Sequence, residues 1–241
     1  MKVLAIDVGN SRIKWGWHDG ARWRRRAEVA TARDLKTAFA RLPRCDAIVI
    51  SNVAGAAAGK ALRAALPPAP RARWIKSGRI QCGVRNDYRQ PQRLGSDRWA
   101  ALIGARRRYR GPLLVVNAGT ALTADALTAS GVFLGGVIVP GATLMKETLA
   151  ANTAALGRRP GRIRRFPRTT GDAIASGALH ALAGAVERMA RLLHRHARRA
   201  PVCVVSGGAA ASLAPQLNLE VRVVDNLVLE GLLTIAHDRP R

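Results

Sequence analysis

The chain has 241 residues, is 48% hydrophobic and 23% charged, and carries a formal net charge of +25. That balance excludes a disordered tail and leaves enough apolar material for a real core, in one domain or two. No apolar run approaches a bilayer span, and the four residues between Lys2 and Asp7 are too few for a secretory leader, so no membrane association is expected.

In chain order, an apolar strand is expected from Lys2 to Asp7, turning through Gly9 into a second strand from Ser11 to His18. Asp19-Gly20 is a hairpin signal, and Arg22 to Glu28 returns antiparallel, with Trp15, Trp17 and Trp23 spaced to pack on the ribbon. Helical spacing covers Thr31 to Leu42 and Ala54 to Leu66, flanking a buried strand from Ala47 to Ser51. Pro67-Pro68-Ala69-Pro70 then breaks regular structure. A polar stretch from Gln81 to Leu94 leads to Ser96, expected to cap a helix running to Arg108 with Asp97 and Arg98 in its first turn.

Gly111-Pro112 closes that helix, and Leu113 to Val116, Gly119-Thr120 and Ala121 to Ala126 read as strand, turn and strand. A further hairpin strand runs toward Gly135-Gly136 and the Pro140-Gly141 turn. Ser176 to Ala200 is an amphipathic helix with Leu179, Leu182, Val186, Met189 and Leu193 on its buried stripe. Val202 to Val205 is a short strand, a helix starts at Gly207-Gly208, and Asn226 to His237 forms the last helix. Hairpin strands first and helices later, in each half, point to a duplicated mixed-sheet α/β architecture and not to a doubly wound parallel sheet.

The chemistry gathers where the chain repeats itself. Val3 to Ser11 and Leu113 to Ala121 follow one plan 110 residues apart: an apolar strand, an acidic or amide side chain (Asp7, Asn117), then a glycine two positions on (Gly9, Gly119) and a hydroxyl or amide. Glycine admits a ligand close to the backbone, and exposed amides with Asn10, Ser11 and Thr120 make a cradle for phosphate oxygens. Two cradles facing one cleft suit a nucleoside triphosphate. Asp7, at a strand end beside a glycine turn, suits a magnesium ion held against phosphates, and Lys14 adds positive charge there. Gly59-Lys60 lacks the upstream glycine and the following Ser/Thr of a Walker loop, so the phosphate site lies elsewhere. Asp97, in the first turn of a helix, is placed to accept a proton from a hydroxyl, and Arg98 offers a planar fork for a carboxylate.

Of forty basic residues only six are lysines, and the arginines cluster at 24–26, 106–108 and 164–165. This field draws polyanions at low salt, but clusters scattered along the chain and few aromatics imply only nonspecific nucleic-acid binding. Cys45, Cys82 and Cys203 stand far apart, as in a reducing cytoplasm.

Taken together, Asp7 to Lys14, Tyr88 with Pro91, Gly95-Ser96-Asp97-Arg98-Trp99, Gly119-Thr120-Ala121-Leu122-Thr123, Gly135-Gly136 with Pro140-Gly141, and Thr170 before Ala173-Ile174-Ala175-Ser176-Gly177 resemble the type III pantothenate kinases over almost the whole chain. The resemblance implies an α/β duplicated ribonuclease-H-like (actin-like) fold, with halves 1–112 and 113–241 flanking a nucleotide cleft. It also implies phosphorylation of pantothenate by ATP to 4′-phosphopantothenate, the first step of coenzyme A synthesis, by a cytoplasmic homodimer. Asp97 would be the base. Tyr88, Gly95 and Arg98 would bind pantothenate, with Thr170 reaching the substrate across the dimer interface. Asp7, Gly9, Asn10, Ser11 and Lys14 would form the first phosphate and Mg2+ site, Gly119, Thr120 and Thr123 the second, and Gly207 and Gly208 would border the adenosine. Asn117 stands where the family usually has Asp, associated with a K+ or NH4+ ion, which puts monovalent-cation dependence in doubt. Two other readings fit the same residues: a catalytically weakened member acting as a regulatory or nucleic-acid-associated accessory factor, and a kinase for another small hydroxy acid.

Overall fold

The computed structural model describes residues 1–30, 32–67, 70–157 and 159–238, so Thr31 and the middle of the proline segment, two of the positions read above, lie outside the described residues. In chain order the strands and helices are β1 (Val3–Val8), β2 (Ile13–His18), β3 (Trp23–Val29), α1 (Ala32–Ala40), β4 (Ala47–Asn52), α2 (Gly55–Ala65), β5 (Ala72–Trp74), β6 (Ile80–Gln81), β7 (Val84–Asn86) and α3 (Ser96–Arg108). They continue as β8 (Leu113–Ala118), β9 (Ala121–Leu127), β10 (Val132–Pro140), α4 (Ala142–Asn152), α5 (Thr170–Ala197), β11 (Val202–Ser206), α6 (Ala210–Leu213), β12 (Val221–Val223) and α7 (Leu227–His237). Two compact units result: unit 1 holds Met1–Tyr109, Gly131–Phe133 and the chain from Asn226 on, and unit 2 holds Arg110–Ser130 and Leu134–Asp225. No described helix is long and apolar enough to cross a membrane.

Unit 1 is built on a sheet of order β3-β2-β1-β4-β5. β1 is buried almost throughout because both its faces are covered. Leu4, Ile6 and Val8 join Trp15, Trp17, Leu35, Phe39, Ile50 and Leu62 in one core, with the edges of the Trp15 and Phe39 rings 5.5 Å apart between centroids. The alternate residues of β1 face the other way, where α3 and α7 pack. Helices α3 and α7 cross at a pair of glycines: a Cβ on Gly231 would stand 1.8 Å from the Ala100 carbonyl oxygen, and one on Gly104 2.7 Å from that of Leu227. Of the three tryptophans read onto the ribbon, Trp15 and Trp17 are buried, and Trp23 packs edge-on to His18 and donates to Glu230.

Five strands of the second, seven-stranded sheet repeat the plan in unit 2, in the order β12-β11-β8-β9-β10, the arrangement of unit 1 in reverse listing. Its core joins Leu114, Val116, Leu122, Val205 and Leu213 to the α5 stripe of Leu179, Leu182, Val186 and Leu193. The mixed α/β sheets expected from hairpins followed by helices are thus present in both units.

Three local expectations are corrected. Ser96 is the first residue of α3 and does not cap it; Gly95, which has no side chain to offer, occupies that position, and the Ser96 hydroxyl is engaged by Ser51 instead. The long helix begins at Thr170, not Ser176, since Thr169 accepts a hydrogen bond from the Asp172 backbone N–H and caps it there, and it ends at Ala197. The helix after the glycine pair is a single short turn from Ala210.

Candidate active site

In unit 1 the hairpin β1–β2 sets Asp7 opposite Lys14, while the parallel neighbour β4 sets Ser51 beside Asp7 on the same face. The loop between the strands is closed by a 3.1 Å bond from the Gly9 N–H to the Arg12 carbonyl, leaving Asn10 and Ser11 exposed at its tip. Asp7 sits at the floor of this arrangement: its Oδ1 is sealed from solvent and has no hydrogen-bond partner. Burial, and then the charge of Asp97, push its carboxyl up to about 7, against the opposing pull of Lys14 and a hydrogen bond from Ser51.

The second carboxylate arrives on α3. Asp97 lies in its first turn, where its Oδ1 accepts the Arg98 backbone N–H at 2.8 Å. Burial raises its pKa above the usual carboxylate range, opposed by that N–H and by the Arg98 guanidinium. Gly95 gives it room, since a Cβ there would stand 2.5 Å from Asp97 Oδ1. Arg98 is only 6% exposed. One of its terminal nitrogens donates to the Tyr88 hydroxyl at 3.1 Å, and its guanidinium lies 5.8 and 5.9 Å from the ring centres of Tyr88 and Phe133. Tyr88 is held by its own N–H, which donates to the buried Asn86 side chain, itself bonded to the Pro91 carbonyl. Unit 1 therefore brings together Asp7, Lys14, Gly95, Asp97, Arg98 and Tyr88.

In unit 2 the register repeats: Asn117 faces Thr123 across β9 and Ser206 across β11, as Asp7 faces Lys14 and Ser51. Gly119 and Thr120 are exposed at the hairpin tip, which Gly141 supports by donating its N–H to the Thr120 carbonyl at 2.8 Å. Gly207 adopts φ +100, and a Cβ there would meet the Ala118 carbonyl at 2.5 Å and Asn117 Oδ1 at 2.8 Å, so only glycine fits beneath this loop. The second loop and the glycine pair, separated in sequence, are neighbours. Thr170, at the start of α5, lines an apolar cavity of about 570 Å³ with Met145, Leu149 and Ile174.

Two residues of unit 1 escaped the sequence reading. Ser51 carried a signal, because it ends its strand at the same level as Asp7. Phe133 carried none, since it reaches Arg98 only through the two residues of β10 that pair with β7. Among the described residues no three His, Cys, Asp or Glu side chains gather as a metal cluster. Two carboxylates with one orphaned buried oxygen do suit a magnesium ion, which takes one or two carboxylates and fills its remaining positions with water and phosphate.

The repeated five-strand arrangement, with a hairpin loop after β1 in one unit and after β8 in the other, defines a duplicated α/β fold of the sugar-kinase and actin class. A Baf-family protein of Campylobacter jejuni, provisionally described as a transcriptional activator, superposes with a TM-score of 0.62 at 21% identity, covering 96% of each chain. A Sinorhizobium meliloti protein, provisionally a 2-dehydro-3-deoxygalactonokinase, gives 0.61 at 16% identity over 97% of this chain and 95% of its own. The chain belongs to the type III pantothenate kinase family, which it matches over residues 3–192. The type III pantothenate kinase of Nitrosospira multiformis is 47% identical over 239 residues, 98% of this chain and 91% of its own.

Proposed function

We propose that this chain transfers the γ-phosphoryl group of ATP to the primary hydroxyl of pantothenate, giving 4′-phosphopantothenate and ADP in the first step of coenzyme A synthesis. The observation that carries the reading is the half-buried Asp97 beside Asp7, with the Arg98 fork held against Tyr88 in the same unit. The acceptor oxygen attacks the γ-phosphorus, its proton passes to Asp97, and the bond to the ADP oxygen breaks. A carboxylate whose pKa is lifted by burial takes that proton more readily than an exposed one. Arg98, with Tyr88 and Gly95, receives pantothenate, the guanidinium meeting its carboxylate through two parallel hydrogen bonds.

Gly9, Asn10, Ser11 and Lys14 contact one set of phosphate oxygens, Gly119, Thr120 and Thr123 another, and Gly207 and Gly208 leave space for the adenosine. Phosphoryl transfer asks the protein mainly for positioning and charge neutralisation, which loop amides, Lys14 and Arg98 provide. Asp7 would hold a magnesium ion, which neutralises phosphate charge when bound. Thr170 completes the substrate site of a second subunit in a cytoplasmic homodimer, and Asn117 keeps an oxygen ligand but not the negative charge suited to K+ or NH4+.

The test is ATP consumption with and without pantothenate, and with and without potassium. Turnover should require pantothenate and not potassium, and Asp97→Asn should lower kcat by about 10²- to 10⁴-fold while ATP still binds. Near-normal turnover in that variant would remove Asp97 from the chemistry.

A further inference from the structure

We infer that Ser51 is a positioning residue for the two carboxylates, an inference that rests on the reading of Asp7 and Asp97 given above. Ser51 is completely buried at the end of β4, in register with Asp7. Its hydroxyl bonds the Asp7 carboxylate on one side and lies 2.9 Å from the Ser96 hydroxyl on the other. An ionised carboxylate can only accept, so when Asp7 is ionised Ser51 donates its one proton to it and accepts from Ser96. Asp7 Oδ1 has no partner, so the Ser51 bond falls on Oδ2. The serine thus occupies one carboxylate oxygen and leaves the other for a cation.

The resulting chain, Ser96 to Ser51 to Asp7, ties the first residue of α3 to the end of β1. Asp97 is the next residue along. The axis of α3 is already fixed by the fully buried Trp99, Leu102 and Ile103, and Gly95 supplies no side-chain cap. What the serine pair adds is the setting of the first turn against the sheet, and with it the approach of Asp97 to Asp7. Ser206, which holds the same register beside Asn117, shows that a serine at this level recurs in the second unit.

Ser51→Ala, Ser96→Ala and the double variant test this. For each, the unfolding temperature of the free protein, kcat, KM for pantothenate, and Mn2+ binding by electron paramagnetic resonance with a non-hydrolysable ATP analogue are measured. Ser51→Ala should lower kcat about tenfold with KM for pantothenate within about twofold of wild type, and weaken Mn2+ binding several-fold. Ser96→Ala should act in the same direction but less, and the double variant should be no worse than Ser51→Ala, because one chain is broken in both. Wild-type kcat and Mn2+ binding in Ser51→Ala, with only the unfolding temperature reduced, would overturn the inference by making the serine merely structural. If Ser51→Ala does not fold, Ser96→Ala decides: reduced kcat and Mn2+ binding at a wild-type unfolding temperature support the inference, and unchanged values overturn it. If the wild-type protein does not phosphorylate pantothenate, the functional reading fails, while the Mn2+ titrations still decide the role of the serines. Undiminished Mn2+ binding in Asp7→Asn would overturn both.

Discussion

Replacing Asp7 by Asn should alter how the fold answers pH. Burial first, and the neighbouring charge of Asp97 second, lift this carboxyl from 3.8 to about 7. Over that interval the folded protein keeps a proton that the unfolded chain has released. Below about pH 4 both states are protonated and the group contributes no penalty. As pH rises toward 7 the wild-type protein loses stability, and above that the loss is complete. At about 1.36 kcal/mol per pH unit the full effect is about 4 kcal/mol, an upper figure because Asp7 is partly accessible and solvent screens some of it. An asparagine carries its own desolvation at every pH, so that cost cancels from the slope. Urea unfolding of both proteins from about pH 4 to pH 8, without nucleotide or divalent cation, should therefore show the stability of the variant relative to wild type climbing by about 2–4 kcal/mol. A difference flat to within about 0.5 kcal/mol would refute the assignment of a desolvated, neighbour-charged carboxylate at this position.

Gly95→Ala should leave the fold intact, since its φ of −55 suits any residue, but a Cβ 2.5 Å from Asp97 Oδ1 must push that carboxylate aside. A kcat reduced about tenfold or more at an unchanged unfolding temperature is expected, and unimpaired turnover would mean that the carboxylate position is not critical. Gly231→Ala drives a methyl group into the Ala100 carbonyl at 1.8 Å, where backbone and not a flexible side chain must yield. A loss of about 3 kcal/mol in chemical denaturation is expected, and wild-type stability would contradict the close crossing of α3 and α7.

Much of this arrangement was legible in the sequence because it rests on local patterns. Asp7 and Asn117 were visible as strand-end residues before glycine turns, and Asp97-Arg98 as a pair in a first helical turn. What was hidden depends on contacts distant along the chain or on elements without a buried stripe. Helix α4 buries none of its residues, so its sequence shows no stripe, and it follows a Pro-Gly pair that reads only as a turn. The strands β5, β6, β7 and β12 are two or three residues long, too short for alternation to register. The start of α5 did carry a capping signal, Thr169 three residues before Asp172, but Gly171 among the first residues masks it. Ser96 looks like a cap in the sequence because serine usually caps at such a position. The competing partner, Ser51, lies 45 residues earlier and becomes its neighbour only when β4 aligns with β1.

The glycine crossing has a consequence for how the chain acquires its shape during synthesis. The segment carrying Asp7 leaves the ribosome well before α7, the helix that covers the β1 face beside α3, can emerge. Until it does, the inner surface of α3 stays open to water and to chaperones, so a nascent fragment ending before residue 227 should be a client of the folding machinery and not an independent domain.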